Sequence, residues 1–136
     1  MKSDYRAWHK EKKLMHEVGY INWDKEEAGI HVGCTLITVP FKDIILMRNT
    51  HKPDISGADV YEGDFIESHQ GDKVLDILML VKYGTYEGYC PADKVYMDNV
   101  GFFVEAAGFP QMPVGPLSDY AKVIGNVYEN AEWLNK

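Results

Sequence analysis

Short runs rich in Val, Ile, Thr, Tyr and Phe alternate along the chain with Gly, Pro, Asn and Asp, the pattern of a mainly β protein with frequent turns. In Ile30-His31-Val32-Gly33-Cys34-Thr35-Leu36 the apolar positions alternate as in a half-buried strand. The adjacent Leu36 and Ile37 then break the phase, which predicts a bulge or bend where the strand curves. Extended runs follow at 41–47 after Pro40, at 60–67, and at 95–105 with Gly101 in the middle. The apolar run 74–81 fits a buried strand or a short buried helix by period, and is assigned to a strand. The sequel Tyr83-Gly84-Thr85-Tyr86-Glu87-Gly88-Tyr89 predicts a hairpin with glycine at its turns. Residues 108–116 are dense in Gly and Pro and read as a loop. Helix is the minority: Ser118 is placed as the N-cap of about one turn, and Asn130 as the cap of a last turn that docks Trp133 and Leu134. The expected architecture is one mainly β domain over residues 1–136, with a curved, barrel-like antiparallel sheet and short helical turns near the C-terminus.

Composition supports that reading. A chain of 136 residues with 46% hydrophobic and 26% charged positions can bury a real core without staples. No stretch approaches the roughly 20 apolar residues of a membrane span, and MKSDYRAWHK holds no apolar signal core, so the expected location is the cytoplasm, with no membrane partner. Lys and Arg number 14 against 21 Asp and Glu, a net charge of −7 that is unevenly spread. Residues 1–13 carry Lys2, Arg6, Lys10, Lys12 and Lys13 against Asp4 and Glu11, whereas 54–76 carry seven acids against Lys73 alone. Such asymmetry can orient a partner, or simply mark solvated faces and turns.

Candidate chemistry is sparse. Cys34 and Cys90 form no CxxC pair and are expected to be reduced, small buried hydrophobes. The five histidines, at 9, 16, 31, 51 and 69, form no HExxH or other close ligand spacing. The acids Asp59, Glu62, Asp64 and Glu67 lack the calcium-loop pattern and read as turn carboxylates. No serine sits in GxSxG and no glycine-rich phosphate cradle occurs, so no metal, no cofactor and no enzymatic activity are expected. Three Trp, nine Tyr and five Phe could stack bases on a β surface, but a cationic groove is confined to the basic N-terminal stretch.

Three segments carry a family resemblance. They are Tyr5-Arg6-Ala7-Trp8-His9-Lys10 with Lys13 and Met15; Leu46-Met47-Arg48-Asn49-Thr50 followed by Gly57-Ala58-Asp59-Val60-Tyr61-Glu62-Gly63-Asp64-Phe65-Ile66; and residues 123–134 around Ile124-Gly125-Asn126-Val127-Tyr128-Glu129-Asn130. Together they resemble the YopX family of bacteriophage and prophage proteins. The chain departs from the family pattern at His9 (Asp in the family), Arg48 (Gln), His51 (Gly) and Ala131 (Pro). The resemblance implies a β, barrel-like body and a phage origin, and supplies no catalytic residue. Among the shared positions, Gly57, Gly63, Gly125, Asn126 and Asn130 are assigned to turns and packing, with Gly63 expected at positive φ. Arg6, Trp8, Tyr61, Glu62, Asp64 and Tyr128 are the candidate binding residues. The function expected is a phage accessory protein of the host cytoplasm that binds a phage or host protein, with homo-oligomers compatible. A nucleic-acid-binding β-barrel is the alternative, and an unrecognised enzyme the third reading.

Overall fold

The computed structural model describes residues 3–135; Lys2 of the basic cluster lies outside the described residues. Strands dominate, in two antiparallel sheets, and the backbone divides into two compact units, Met1–Asn49 and Thr50–Lys136.

The first unit is a meander. Strands β1 (Tyr5–His9), β2 (Leu14–Asn22), β3 (Glu27–Val32) and β4 (Thr35–Pro40) precede a 3-10 turn at Phe41–Asp43 and the start of β5 (Ile44–Pro53). Their spatial order is β4-β3-β2-β1-β5. Cross-strand pairs such as Val18 with Ile30 and Ala28 with Val39 bury a small core of Ala7, Val18, Ala28, Ile30, Val39 and Ile44. The predicted single strand through 30–36 is corrected: Gly33-Cys34 forms a tight turn, and Val32 pairs with Thr35 across it. The phase break at Leu36 and Ile37 follows from this turn, since Ile37 pairs with Ile30 and Leu36 with His31, and both lie exposed on the edge strand β4. Cys34, on that turn, is exposed and Cys90 is half-buried, so neither is the buried hydrophobe expected. The run expected at 41–47 opens instead with the 3-10 turn after Pro40.

In the second unit β5 ends beside β6 (Asp59–Tyr61) in the same sheet. The other sheet comprises β7 (Asp64–Gln70), β8 (Lys73–Cys90), β9 (Val95–Glu105), β10 (Met112–Pro113) and β11 (Ala121–Asn126), in the order β10-β9-β8-β7-β11. The run 74–81 is a strand within β8, and 95–105 is β9. The hairpin expected at 83–89 is corrected: β8 runs through that segment to Cys90, and the reversal lies at residues 91–94, where the Lys94 N–H donates to the Cys90 carbonyl at 2.8 Å. One helical turn, α1 (Leu117–Tyr120), buries Leu117 in a core of Val60, Ile66, Met79, Val81, Val104, Val114 and Ala121. Pro116, not Ser118, occupies its N-cap and makes no side-chain bond there. A last 3-10 turn spans Ala131–Asn135. Among the described residues neither sheet closes into a barrel.

Candidate functional site

Gly63 has φ +89, as the turn between two strand-forming runs required. Its N–H donates to the Val81 carbonyl at 2.7 Å, and its own carbonyl accepts the Val127 N–H at 2.9 Å. Beside it Asp64, only 1% exposed, accepts the Tyr61 N–H on Oδ2 at 2.8 Å, closing the turn from within. In β11, Asn126 pairs with Asp64 and Gly125 with Phe65, so the two signature segments lie side by side. Asn126 Oδ1 accepts the N–H groups of Tyr128 (3.0 Å) and Glu129 (2.9 Å). Asn130 does not cap the turn that follows with its side chain. Its Oδ1 points back and accepts the Asn126 N–H at 3.2 Å. A Cβ on Gly125 would run into Asn130 and the Trp133 ring, so the missing side chain makes room for the C-terminal turn. The irregularity expected at Gly125-Asn126 is present as a register shift between Val123 and Gly125.

The strongest polar knot was not singled out by the sequence. Asp54, 3% exposed, accepts the Ser56 N–H (2.8 Å), the Ser56 hydroxyl (2.7 Å) and the Ala58 N–H (2.9 Å) on Oδ1, and the Val123 N–H (3.0 Å) on Oδ2. Gly57 sits inside this loop at φ +85. Burial pushes the Asp54 carboxyl up, but the bonds from Val123, Ser56 and Ala58 outweigh it and hold it below the usual 3.8. A carboxylate kept ionised this way serves as a fixed acceptor rather than a general acid.

Of the six candidate binding residues, Tyr61 and Asp64 are buried, while Glu62 and Tyr128 are half-buried at the same turns. Arg6 and Trp8 belong to the first unit, half-buried on one face of β1, where Arg6 Nε donates to Met47 Sδ at 3.5 Å. Ala7 and His9, on the opposite face, are buried. His9 Nδ1 accepts the Lys12 N–H at 3.2 Å, a bond an Asp at this position could also make. Among the described residues no three His, Cys, Asp or Glu side chains gather to hold a metal ion.

Open surfaces lie elsewhere. In the second unit a groove of about 580 Å³ is floored by Phe65, Leu78 and Leu80, walled by Trp133, Leu134 and Phe109, and edged by Asp76 and Glu105. The Trp133 and Phe65 rings meet at 5.4 Å. Ile77 and Met79, which alternate with Leu78 and Leu80 along β8, border a second apolar hollow of about 360 Å³ with Met112, Val114 and Tyr120. The Tyr120 hydroxyl donates to the Val114 carbonyl at 2.6 Å, and burial pushes this phenol above its ordinary value. Leu134, expected to dock with Trp133, is exposed, and Phe109, also exposed, carried no signal of its own, because neither periodicity nor motif separates a groove wall from an ordinary surface apolar residue.

The family model described as YopX protein matches residues 4–135, nearly the whole chain. The chain belongs to the YopX family. Its structure is similar to the crystal structure of protein EF1440 from Enterococcus faecalis, with a TM-score of 0.57 and 21% identity over 96% of each chain, a likeness of fold. No curated protein matches the chain significantly. The YopX signatures fall on the knots described above: the Glu62-Gly63-Asp64 turn, the Asn126 turn and the start of β1. His51 adopts φ +58, so this chain holds a β-carbon where the backbone favours none.

Proposed function

We infer that this YopX protein is a non-enzymatic binding module, a phage or prophage accessory protein that works in the host cytoplasm by holding another protein. The observation that supports this reading is the groove between Phe65, Leu80, Phe109, Trp133 and Leu134. It joins an apolar floor to exposed apolar walls and an acidic edge, the composition of a protein-contact surface rather than of a site with convergent reactive groups. Asp64 and Asn126 of the signature segments, and Asp54 between two of them, are already engaged as turn acceptors, which leaves the groove to carry the interaction. The barrel-like curvature implied by the resemblance is proposed alongside, although the groove needs only an open sheet.

Affinity capture from the bacterial host, compared between wild type and Phe109→Asp/Leu134→Asp, tests the reading. A protein retained by the wild type and lost with the variant supports it, and identical retained proteins overturn it. The nucleic-acid alternative rests on Lys10, Lys12 and Lys13, all exposed at the β1–β2 turn. Fluorescence anisotropy with single-stranded and duplex oligonucleotides would reveal it as binding that weakens steeply with salt.

A further inference from the structure

Strands β8 and β9 outrun their sheet. The last β7 partner on β8 is Leu80, and β10 pairs with β9 only at Phe103 and Val104. Outward from Thr85 and Val100, the ladders among the described residues pair β8 and β9 only with each other, up to Cys90 and Val95. At the root Gly84 faces Gly101, with φ of +149 and +157, a conformation that side-chain-bearing residues rarely adopt. Tyr86 reaches back past this pair to stack on Phe103 at 4.9 Å. The paired glycines therefore mark where a two-stranded arm departs from the sheet.

One face of the arm carries the cross-strand pairs Thr85 with Val100, Glu87 with Asp98, and Tyr89 with Tyr96. Val100 is 73% exposed, Tyr96 59% and Tyr89 53%. Beyond its root the ribbon is tied to the rest of the unit at Glu87, whose N–H donates to Gln111 Oε1 at 3.2 Å. A two-stranded ribbon is marginally stable in water, and two carboxylates directly opposite each other weaken it further. Its natural cover is a cationic surface that neutralises Glu87 and Asp98 and packs on the tyrosine rings. The chain itself offers one. Lys10, Lys12 and Lys13 are exposed on the β1–β2 turn with Glu11 among them, and the Lys10 ammonium donates to the Lys42 backbone carbonyl at 2.9 Å, which sets the exposed residue Lys42, next to Asp43, beside this turn. Charge is partitioned to match: residues 1–49 hold eight basic against seven acidic side chains, and residues 50–136 six against fourteen.

We propose that the β8–β9 arm is a self-association element, whose Glu87/Asp98 and Tyr89/Tyr96 face docks on the Lys10–Lys13 corner of a second copy. The contact joins two different patches, so two copies can exchange arms about a two-fold axis or a series of copies can continue as a ring or chain. On this face Tyr89, Tyr96 and Val100 expose roughly 350 Å² of mostly apolar surface, somewhat under half of the ~800 Å² that each partner contributes to a stable interface.

Light scattering on the full chain after size exclusion, over a concentration series at low and high salt, tests the assignment. The wild type is expected to exceed single-chain mass as concentration rises, and to fall back in high salt. Glu87→Lys/Asp98→Lys and Lys12→Glu/Lys13→Glu should each weaken association by about tenfold or more. Combining all four changes in one chain should restore it, which also shows that the variants fold. Three outcomes overturn the proposal: a wild type of single-chain mass throughout, association indifferent to both reversals, or a combined variant that fails to recover. A single-chain wild type that nonetheless binds a poly-lysine matrix through the arm would assign this face to a foreign basic partner.

Discussion

A buried carboxylate that accepts several N–H and O–H groups is a structural acceptor, and Asp54 is the plainest instance here. Because its native pKa lies below the ordinary value, its contribution is fully present above the unfolded pKa and is lost as pH falls through the native one. Asp54→Asn keeps one oxygen but turns an amide N–H₂ toward groups that donate. The expected cost is about 1–3 kcal/mol at neutral pH, narrowing on acidification, as urea unfolding in both conditions would record. Gly63→Ala places a β-carbon at φ +89 and should cost about 1 kcal/mol or more by thermal or urea unfolding. At His51, held at φ +58, the comparison to make is between His51→Gly and His51→Ala. Both lose the imidazole, yet only glycine relieves the backbone, so the glycine variant should be the more stable by roughly 1 kcal/mol.

Elements show where local sequence suffices and where it does not. The Glu62-Gly63-Asp64 turn was legible because a positive φ is a demand the sequence meets with one residue. The turn at Gly33-Cys34 left a trace that reads two ways: partners across a two-residue turn differ by an odd number, so the inward set passes from Ala28 and Ile30 to Val39, and locally this change of phase looks the same as a bulge. The glycines at 83–89 suggested a reversal, but Gly84 answers to Gly101 on the facing strand, a pairing that no local window contains. Asp54 escaped notice for the same reason: one of its donors, Val123, lies on β11. The C-terminal turn was legible as an element, though not in its detail: Asn130 bonds backward, and Leu134 is exposed rather than docked. Trp133 does dock, against Phe65 and over Gly125. Trp133→Ala should therefore cost about 2 kcal/mol, less than a fully buried tryptophan because the ring is partly exposed, and thermal unfolding would show it.

Across the described residues, buried polar acceptors and open surface are separated in role. Asp54, Asp64 and Asn126 are buried and bonded to backbone, whereas the apolar side chains of the groove and the arm face outward. Strand content was legible from turn spacing and β-forming runs, while the division into two sheets in place of the one curved sheet expected, the sheet order and the length of the arm rest on long-range pairing. Native-state hydrogen exchange of the isolated protein tests the central claim, that the signature residues hold the fold and leave binding to other surfaces. The N–H groups of Ala58, Tyr61, Val123, Tyr128 and Glu129, bonded to Asp54, Asp64 and Asn126, are predicted to exchange slowly with no partner present. Fast exchange at these amides in the free protein, with protection gained only on adding a captured partner, would contradict the account and return the signature segments to the binding site.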